Sequence, residues 1–456
     1  MGTFLTEYFR CIAGPVDFQI LSGLSQDAGF FCFGPEIICF GRSAVGYRTK
    51  SPDDPLYDVS VDVIGQGSSV QLPFDPSEVV TNFHYERYAC GAGQTRTARL
   101  IRNAYYFVRP LLPVTVRKHL QKARLNGWRN LTFPRWPVDT TVDRLMEKLM
   151  ALSIRQQEDA RVPFIWFWPE GKSGCAIVTH DVETQLGVDL SARLMDMNDS
   201  FGIPASFQIV PEKRYPVPEA YLDSIRRRGF EVNVQDLNHD GHLYRDRHEF
   251  ERRVAKINQY RKDYRAAGFR AGVLYRNQEW FDLLDFDYDT SVPNVAHLDP
   301  QRGGCCTVMP YFIGKIVELP VTCTQDYSLF QILGDYSLDL WKKQIALIHE
   351  SHGLISFIVH PDYVIESRAR DTYKALLSHL SDLRAEGGLW TPLPGEVAKW
   401  WQLRKDLELV EHQGEWRVEG VGSERARVAY ASLDGDSLTY SFQSRSIPSL
   451  FRGSPK

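Results

Sequence analysis

The sequence predicts an α/β protein built around a parallel barrel, with a mixed region before it and a small antiparallel β unit after it. Two observations carry this reading. Between about 166 and 395, short apolar runs alternate with helical stretches, which is how parallel strands joined by crossover helices appear in sequence. In addition, four polar side chains follow separate apolar runs: Asp181 after Cys-Ala-Ile-Val-Thr-His, His239 after Phe-Glu-Val-Asn-Val, Arg270 after Gly-Phe, and His360 after Leu-Ile-Ser-Phe-Ile-Val. A parallel barrel gathers its reaction site at the C-terminal ends of its strands, so the four are candidates for one site.

Taken in order, residues 1–165 read as short strands and helices broken by turn clusters such as Ser51-Pro52-Asp53-Asp54-Pro55, a mixed α+β region without a regular repeat. In the barrel region, 166–395, strands are predicted at 175–180, 205–210 and 230–234, each followed by a helix, over 188–201, 218–228 and 248–267. Further strands are expected at 286–291, 315–321 and 354–360, the last two separated by an amphipathic helix through Trp341 and Ile348. From 396 to 456 the period falls to two, over 407–411, 415–419, 426–433 and 437–442, and Asp434-Gly435 marks a hairpin turn.

Composition places the chain among soluble globular proteins, with 456 residues, 43% hydrophobic content, 24% charged and a formal net charge of -4. Glu7, Arg10 and Asp17 interrupt any apolar run near the start, and no later run is long enough to span a bilayer, so a cytoplasmic location is expected. The cysteines follow neither a disulfide framework nor paired C-x-x-C zinc spacing and read as reduced thiols. From Arg96 to Arg129 there are nine Lys or Arg residues and no Asp or Glu, interleaved with Tyr105-Tyr106-Phe107-Val108. Such a segment suits peripheral contact with an anionic membrane or a phosphate-bearing lipid carrier; the competing reading is a helical arm whose arginines pair with an acidic surface. Nucleic acid is not an expected partner, because the chain is mildly acidic and carries no binding motif for it.

Five stretches in fixed order resemble the polysaccharide deacetylases of the NodB-homology type. They are Thr179-His180-Asp181-Val182-Glu183, His239-Asp240-Gly241, Gly268-Phe269-Arg270, Asp287-Tyr288-Asp289-Thr290-Ser291 and Val359-His360-Pro361. The resemblance covers 174–390, about half of the chain, and rests on order and spacing together. A closer likeness, to uncharacterised deacetylase-like proteins, is suggested by Pro300–Cys306 and His360–Tyr363.

What the resemblance implies is a distorted (β/α) barrel that removes an acetyl group from an N-acetylated sugar, free or lipid-linked, during assembly of a cell-surface polysaccharide. Amide hydrolysis needs an activated water, an electrophile for the developing oxyanion and an acid for the departing amine. By the resemblance, a divalent metal such as zinc supplies the first two functions, Asp181 is the base, Arg270 holds it charged and oriented, and His360 protonates the leaving nitrogen. The metal ligands depart from the family pattern. Where the second motif has two histidines four residues apart, His239 is paired with Gln235, whose amide oxygen is a weaker ligand than imidazole. Val182 follows Asp181 where the metal aspartate is usual, leaving Glu183 as the nearest carboxylate, on the same side of the strand as Asp181. His242 is a further candidate for the missing imidazole. Gly272 stands where the third motif usually has proline.

Plainer roles compete for several of these residues. Asp181 can be a helix cap, His180 a packed core histidine, and His242 and His248 parts of a solvated face with Arg245, Asp246 and Arg247. Two functions from different classes follow: the metal-dependent deacetylase, and a catalytically weakened relative that binds a glycan or sugar intermediate without hydrolysing it. Hydrolysis of a different C–N bond on the same barrel is a third.

Overall fold

The computed structural model describes residues 3–12, 16–67, 69–89, 125, 127–156 and 161–442. The basic segment 96–129 therefore lies outside the described residues, apart from 125 and 127–129. The N-terminal elements are α1 (Thr3–Phe9), β1 (Asp17–Ile20), β2 (Gly29–Cys32), β3 (Ile38–Gly41), β4 (Ile64–Gln66), β5 (Ser69–Leu72), α2 (Pro76–His84), α3 (Thr141–Arg155) and β6 (Val162–Ile165). They form a three-stranded β1-β5-β4 sheet and a β2-β3 hairpin, with α3 packed beneath.

The barrel follows as β7 (Gly174–Val182), α4 (Gln185–Phe201), β8 (Ala205–Ile209), α5 (Glu219–Arg226), β9 (Glu231–Gln235), α6 (Arg247–Asp263), β10 (Gly268–Arg270), β11 (Tyr288–Asp289), β12 (Tyr311–Ile313), β13 (Ile316–Glu318), α7 (Asp339–Glu350), β14 (Leu354–Val359), α8 (Ser367–Ala385) and β15 (Leu389–Trp390). The strand order β12-β13-β11-β10-β9-β8-β7-β14 is parallel throughout except for the β12-β13 hairpin at one edge. β15 adds to the start of β7. Past β13 the chain turns toward the far edge, where Cys323 N donates to Ser356 O at 3.1 Å and Ser356 N to Thr322 Oγ1 at 2.9 Å. An irregular segment thus closes the sheet on itself, which makes this a distorted α/β barrel.

Local sequence explains the elements. Every residue of β7 is buried, as expected of a parallel strand covered on both faces. Burying a Val, Ile or Phe side chain contributes about 1.5–3 kcal/mol, so the core strands dominate the stability of the sheet. Thr184 caps α4 by accepting from Gly187 N at 3.0 Å, and Gly202, in the left-handed region, ends it. That assignment frees Asp181 from the capping role. Asp246 caps α6 through Glu249 N at 2.8 Å. The expected strands at 286–291 and 315–321 shrink to Tyr288–Asp289 and Ile316–Glu318, and beyond them the pairing continues only as separate backbone bonds such as Leu319 N to Asp289 O and Val321 N to Val292 O, both 2.9 Å.

The chain ends in α9 (Pro394–Asp406), the hairpin β16 (Glu408–His412) and β17 (Glu415–Glu419), and the hairpin β18 (Val428–Asp434) and β19 (Ser437–Phe442). β18 pairs antiparallel with β6, Val428 opposite Ile165, joining the last strands to the first region. Arg404 strengthens this junction. Its guanidinium is buried without a carboxylate partner and donates to the carbonyls of Tyr8, Phe9, Ile165 and Trp166 at 2.8–3.2 Å. Burial lowers its pKa to about 9. Among the described residues, no helix is long and apolar enough to cross a membrane, and the described cysteines are free thiols.

Candidate active site

The ends of β7, β9, β10 and β14 converge on a group of buried charges. Asp181 is 4% exposed and Arg270 fully buried. Arg270 NH1 donates to Asp181 Oδ1 at 2.9 Å, while its Nε and NH2 both donate to Thr290 Oγ1, at 3.1 and 2.9 Å. Thr290 thereby fixes the guanidinium plane and Arg270 fixes the carboxylate. Burial pushes the Asp181 carboxyl above its ordinary range, with Arg270 pulling against it. A carboxylate whose pKa is raised by burial and whose position is fixed by a cation is a better proton acceptor than a free one.

Beneath Arg270, Asp289 and Glu318 lie opposite one another on β11 and β13, both fully buried. Asp289 accepts from Ser291 N and Oγ at 2.8 Å, and Ser291 Oγ accepts from Ala271 N at 2.8 Å, so this pair supports the backbone next to Arg270. Burial raises both carboxyls, and the charge of Asp289 raises Glu318 further.

Across the site, His360 is held by Asp326, which the sequence reading did not identify. Asp326 Oδ1 lies 2.7 Å from His360 Nδ1, and Oδ2 accepts the His360 backbone N–H at 2.7 Å. This leaves Nε2 facing Glu183 Oε1 at 3.5 Å. Burial disfavours the imidazolium, but Asp326 and Glu183 outweigh it and hold the pKa well above the usual histidine range. A histidine that stays protonated can serve as an acid. Because the acid must be charged, activity that depends on it falls as pH rises through its pKa. Asp326→Asn removes the stabilising charge, so the basic limb of a pH–rate profile should move to lower pH by about one to three units. A limb that stays in place would exclude this dyad from the chemistry.

Glu183 lies at the centre. Its Oε1 is 2.8 Å from His239 Nε2. Burial works against the Glu183 charge, yet His239 and His360 hold its carboxyl well below the normal range. In turn, His239 is raised because Glu183 outweighs burial. The 2.8 Å approach is close without the alignment of a hydrogen bond, and neither ring nitrogen of His239 has a hydrogen-bond partner among the described residues. Ligand atoms bonded to one ion at about 2.0–2.2 Å stand roughly 3–3.5 Å apart. Glu183, His239 and His360 show spacings of this order, and one ligand atom each from Asp181, Glu183 and His360 lie within 4.8 Å of one another. Carboxylates and imidazoles this close together are a donor set that suits a divalent cation.

Gln235 lies opposite Arg270 in the β9–β10 register. Its Nε2 donates to Asp181 Oδ2 at 3.0 Å and approaches Glu183 Oε1 at 3.3 Å, while its Oε1 is buried with no donor. In this orientation, the one that suits two carboxylates, the amide presents hydrogens rather than a ligand oxygen. His242 sits apart, half-exposed, with Nδ1 3.6 Å from Asp240 Oδ1; among the described residues, those whose ligand atoms can close on one ion are Asp181, Glu183 and His360, and neither His242 nor His239 is among them. His180 is fully buried, with Nδ1 3.2 Å from Val359 O and Nε2 3.3 Å from Asn198 Oδ1, a packed core histidine.

Gly272 has a physical reason. A Cβ there would lie 2.5 Å from Asp236 Oδ2 and 3.1 Å from His239 Cδ2. The bare backbone admits Asp236 and the imidazole together, both on residues in the left-handed region. A proline ring at this position would displace them.

No family model matches the chain, and no curated protein matches it. Solved structures give partial likenesses. A putative polysaccharide deacetylase from Mycobacterium smegmatis is similar at 18% identity over 55% of this chain and 98% of that one, with a TM-score of 0.43. This chain resembles the polysaccharide deacetylases. A probable polysaccharide deacetylase from Pseudomonas aeruginosa PAO1 is 11% identical over 51% of this chain and 91% of that one, TM-score 0.39. A mutant of a CE4 family pseudoenzyme with restored enzymatic activity is 12% identical over 50% of this chain and 68% of that one, TM-score 0.32.

Proposed function

We propose that this chain is a divalent-metal-dependent hydrolase that removes the acetyl group from an N-acetylated sugar, on an intermediate of a cell-surface glycan. The observation that supports it is the facing pair of pre-set groups: Asp181 fixed by Arg270 and Thr290, and His360 fixed by Asp326, with Glu183 between them. Amide hydrolysis needs a base and an acid on opposite sides of one reacting carbon, and each here is held by a second side chain.

In this reading Glu183 and His239 would hold the metal. When bound, it would supply Lewis-acid polarisation of the carbonyl and a more acidic water. Asp181 accepts the proton of the attacking water, and Arg270 keeps its carboxylate turned toward the site. His360 delivers a proton from Nε2 to the leaving nitrogen while Asp326 bears the compensating charge on the Nδ1 side. The low exposure of all four side chains limits bulk water around the reacting atoms.

A second reading, binding without hydrolysis, is favoured by Gln235. Its amide ties Asp181 to Glu183 and, with Arg270 and the two histidines, offsets the carboxylate charge without an ion. Metal content per chain, acetate release from N-acetylglucosamine oligomers, and the same measurements on Gln235→His separate the two. The hydrolase reading expects a bound divalent ion, lost in His239→Ala, and acetate release. With one more imidazole in reach, Gln235→His should tighten metal binding by at least about tenfold, since even indirect changes around a metal shift affinity ~10–100-fold. A chain that takes up no zinc, cobalt or nickel and releases no acetate would be the binding protein.

A further inference from the structure

Tyr363 takes no part in the steps assigned to Asp181 and His360, yet it stands beside them. It follows His360 by three residues, in a turn where Tyr363 N donates to His360 O at 3.1 Å, and buried Val364 anchors that turn in the barrel core. The turn lays the phenol ring against the imidazole, with 4.8 Å between centroids and 47° between planes. Tyr327, the residue after Asp326, packs on the same ring at 5.6 Å. Both members of the acid pair therefore fix the ring, His360 directly and Asp326 through its neighbour in the chain.

The hydroxyl has no such anchor. It has no hydrogen-bond partner among the described residues, and on a half-buried residue it is not sealed from solvent. Other phenols of the barrel are committed: Tyr215 donates to Val182 O, Tyr288 to Glu231 Oε1 at 2.7 Å and Tyr373 to Asn198 Oδ1 at 2.8 Å. Tyr244 also lacks a partner, but its oxygen is sealed in. A phenol held by its ring and left open at its oxygen is free to meet a group brought in from outside. Burial and the surrounding carboxylates, Glu183 before Asp362 and Asp326, keep its pKa well above the ordinary phenol range. It therefore stays protonated, a donor among acids that it does not bond. Of the acceptors that an N-acetylated sugar would bring to Glu183, the acyl oxygen is the one that gains charge as the reaction proceeds. A donor already fixed where that charge develops acts on the rate itself.

We propose that Tyr363 is a further catalytic residue, whose hydroxyl donates to the acyl oxygen of the substrate and to the oxyanion formed from it. This rests on the hydrolase reading. No proton leaves the phenol. Water adds to the acyl carbon and gives a proton to Asp181, and the carbonyl electron pair moves onto the oxygen that Tyr363 holds. The return of that pair expels the nitrogen, which takes its proton from His360 Nε2. A bond to a sugar hydroxyl would instead be equally strong before and during the reaction and would change KM rather than kcat. A ring that only packs on His360 needs no hydroxyl at all.

The test is kcat and KM for acetate release from N-acetylglucosamine oligomers by the metal-loaded wild type and Tyr363→Phe, with the His360 imidazole titrated by NMR in both. Phenylalanine keeps the ring and its packing, and circular dichroism establishes that the variant is folded. Removal of one oxyanion donor lowers kcat by about 10²–10³-fold, so a fall of this order is expected with KM little changed. The His360 titration should stay in place, and the fall should be smaller on an N-trifluoroacetyl analogue, whose carbonyl is already electron-poor. A folded variant with wild-type kcat, one in which KM alone rises, one whose His360 pKa moves, or a fall equally large on both substrates would each overturn the role. In all of these the wild type still releases acetate, and the hydrolase reading stands. A wild type that releases none would overturn that reading and the role of Tyr363 with it.

Discussion

Asp181→Asn is expected to lower acetate release by about 10²–10⁴-fold, the usual contribution of a positioned acid–base group, with little change in the folded state. The variant keeps the shape and one acceptor, so Arg270 NH1 retains an oxygen at the position it now reaches at 2.9 Å. What it loses is the capacity to take a proton. Because burial already pushes the Asp181 carboxyl upward, its charge is not a source of stability, and the thermal midpoint should shift by no more than a few degrees. The informative comparison is with Arg270→Lys. Lysine keeps the charge but cannot span Asp181 and Thr290 as the guanidinium does, so activity should fall while metal content holds. Full activity in folded Asp181→Asn would remove this residue from the chemistry, whatever the metal does.

The largest stability effect is expected away from the site, at Glu86. This residue follows α2 in a left-handed conformation and is 4% exposed, as is its partner Arg276. Arg276 Nε donates to Glu86 Oε2 at 2.6 Å and its NH2 to Oε1. Gln278 Nε2 adds a bond to Oε2 at 2.7 Å, and Gly304 N one to Oε1 at 2.6 Å. One carboxylate therefore ties the N-terminal region to the loop after β10 and to the Gly303-Gly304 turn. A Cβ on Gly303 would lie 2.5 Å from Glu86 Oε1, which is why a side chain is missing there. Glu86→Ala leaves a buried guanidinium and two further donors unmatched, and breaking such a pair costs about 3–5 kcal/mol. Denaturant unfolding at neutral pH measures it. Glu86→Gln should recover part of the loss, since the amide oxygen still accepts. A loss below 1 kcal/mol in Glu86→Ala would mean that the two regions are joined by apolar packing alone.

The barrel was legible where chemistry and periodicity coincide. Asp181, Arg270 and His360 each close a run of buried residues, so the strand that places them can be read from the same few letters that name them. Asp326 lies in the polar run Thr-Gln-Asp, with no strand to announce it. Its role arises only when the irregular segment after β13 folds back against β14, a closure between residues 34 apart. Gln235 could be recognised as a departure from a histidine pair, but which end of the amide faces the carboxylates depends on the ends of β7 and β9 meeting in space. The same holds for Gly272, whose missing side chain makes sense only once Asp236 and His239 are beside it. The first region was least legible because β1 pairs in parallel with β5, and β6 finds its partner more than 250 residues later.

That late partner has a consequence for how the protein is made. Tyr8, Phe9 and Ile165 present carbonyls that Arg404 satisfies, and β6 has a bare edge until β18 arrives. At about 5–20 residues per second, the ribosome takes roughly ten to fifty seconds to travel from one to the other. During that interval the nascent first third carries an unpaired strand edge and an aromatic surface around Phe164 and Trp166 that the finished molecule covers. The barrel is made before β18, so the edge of β6 waits through its whole synthesis, and the yield of native protein should depend on translation speed across 170–430 and on chaperone supply.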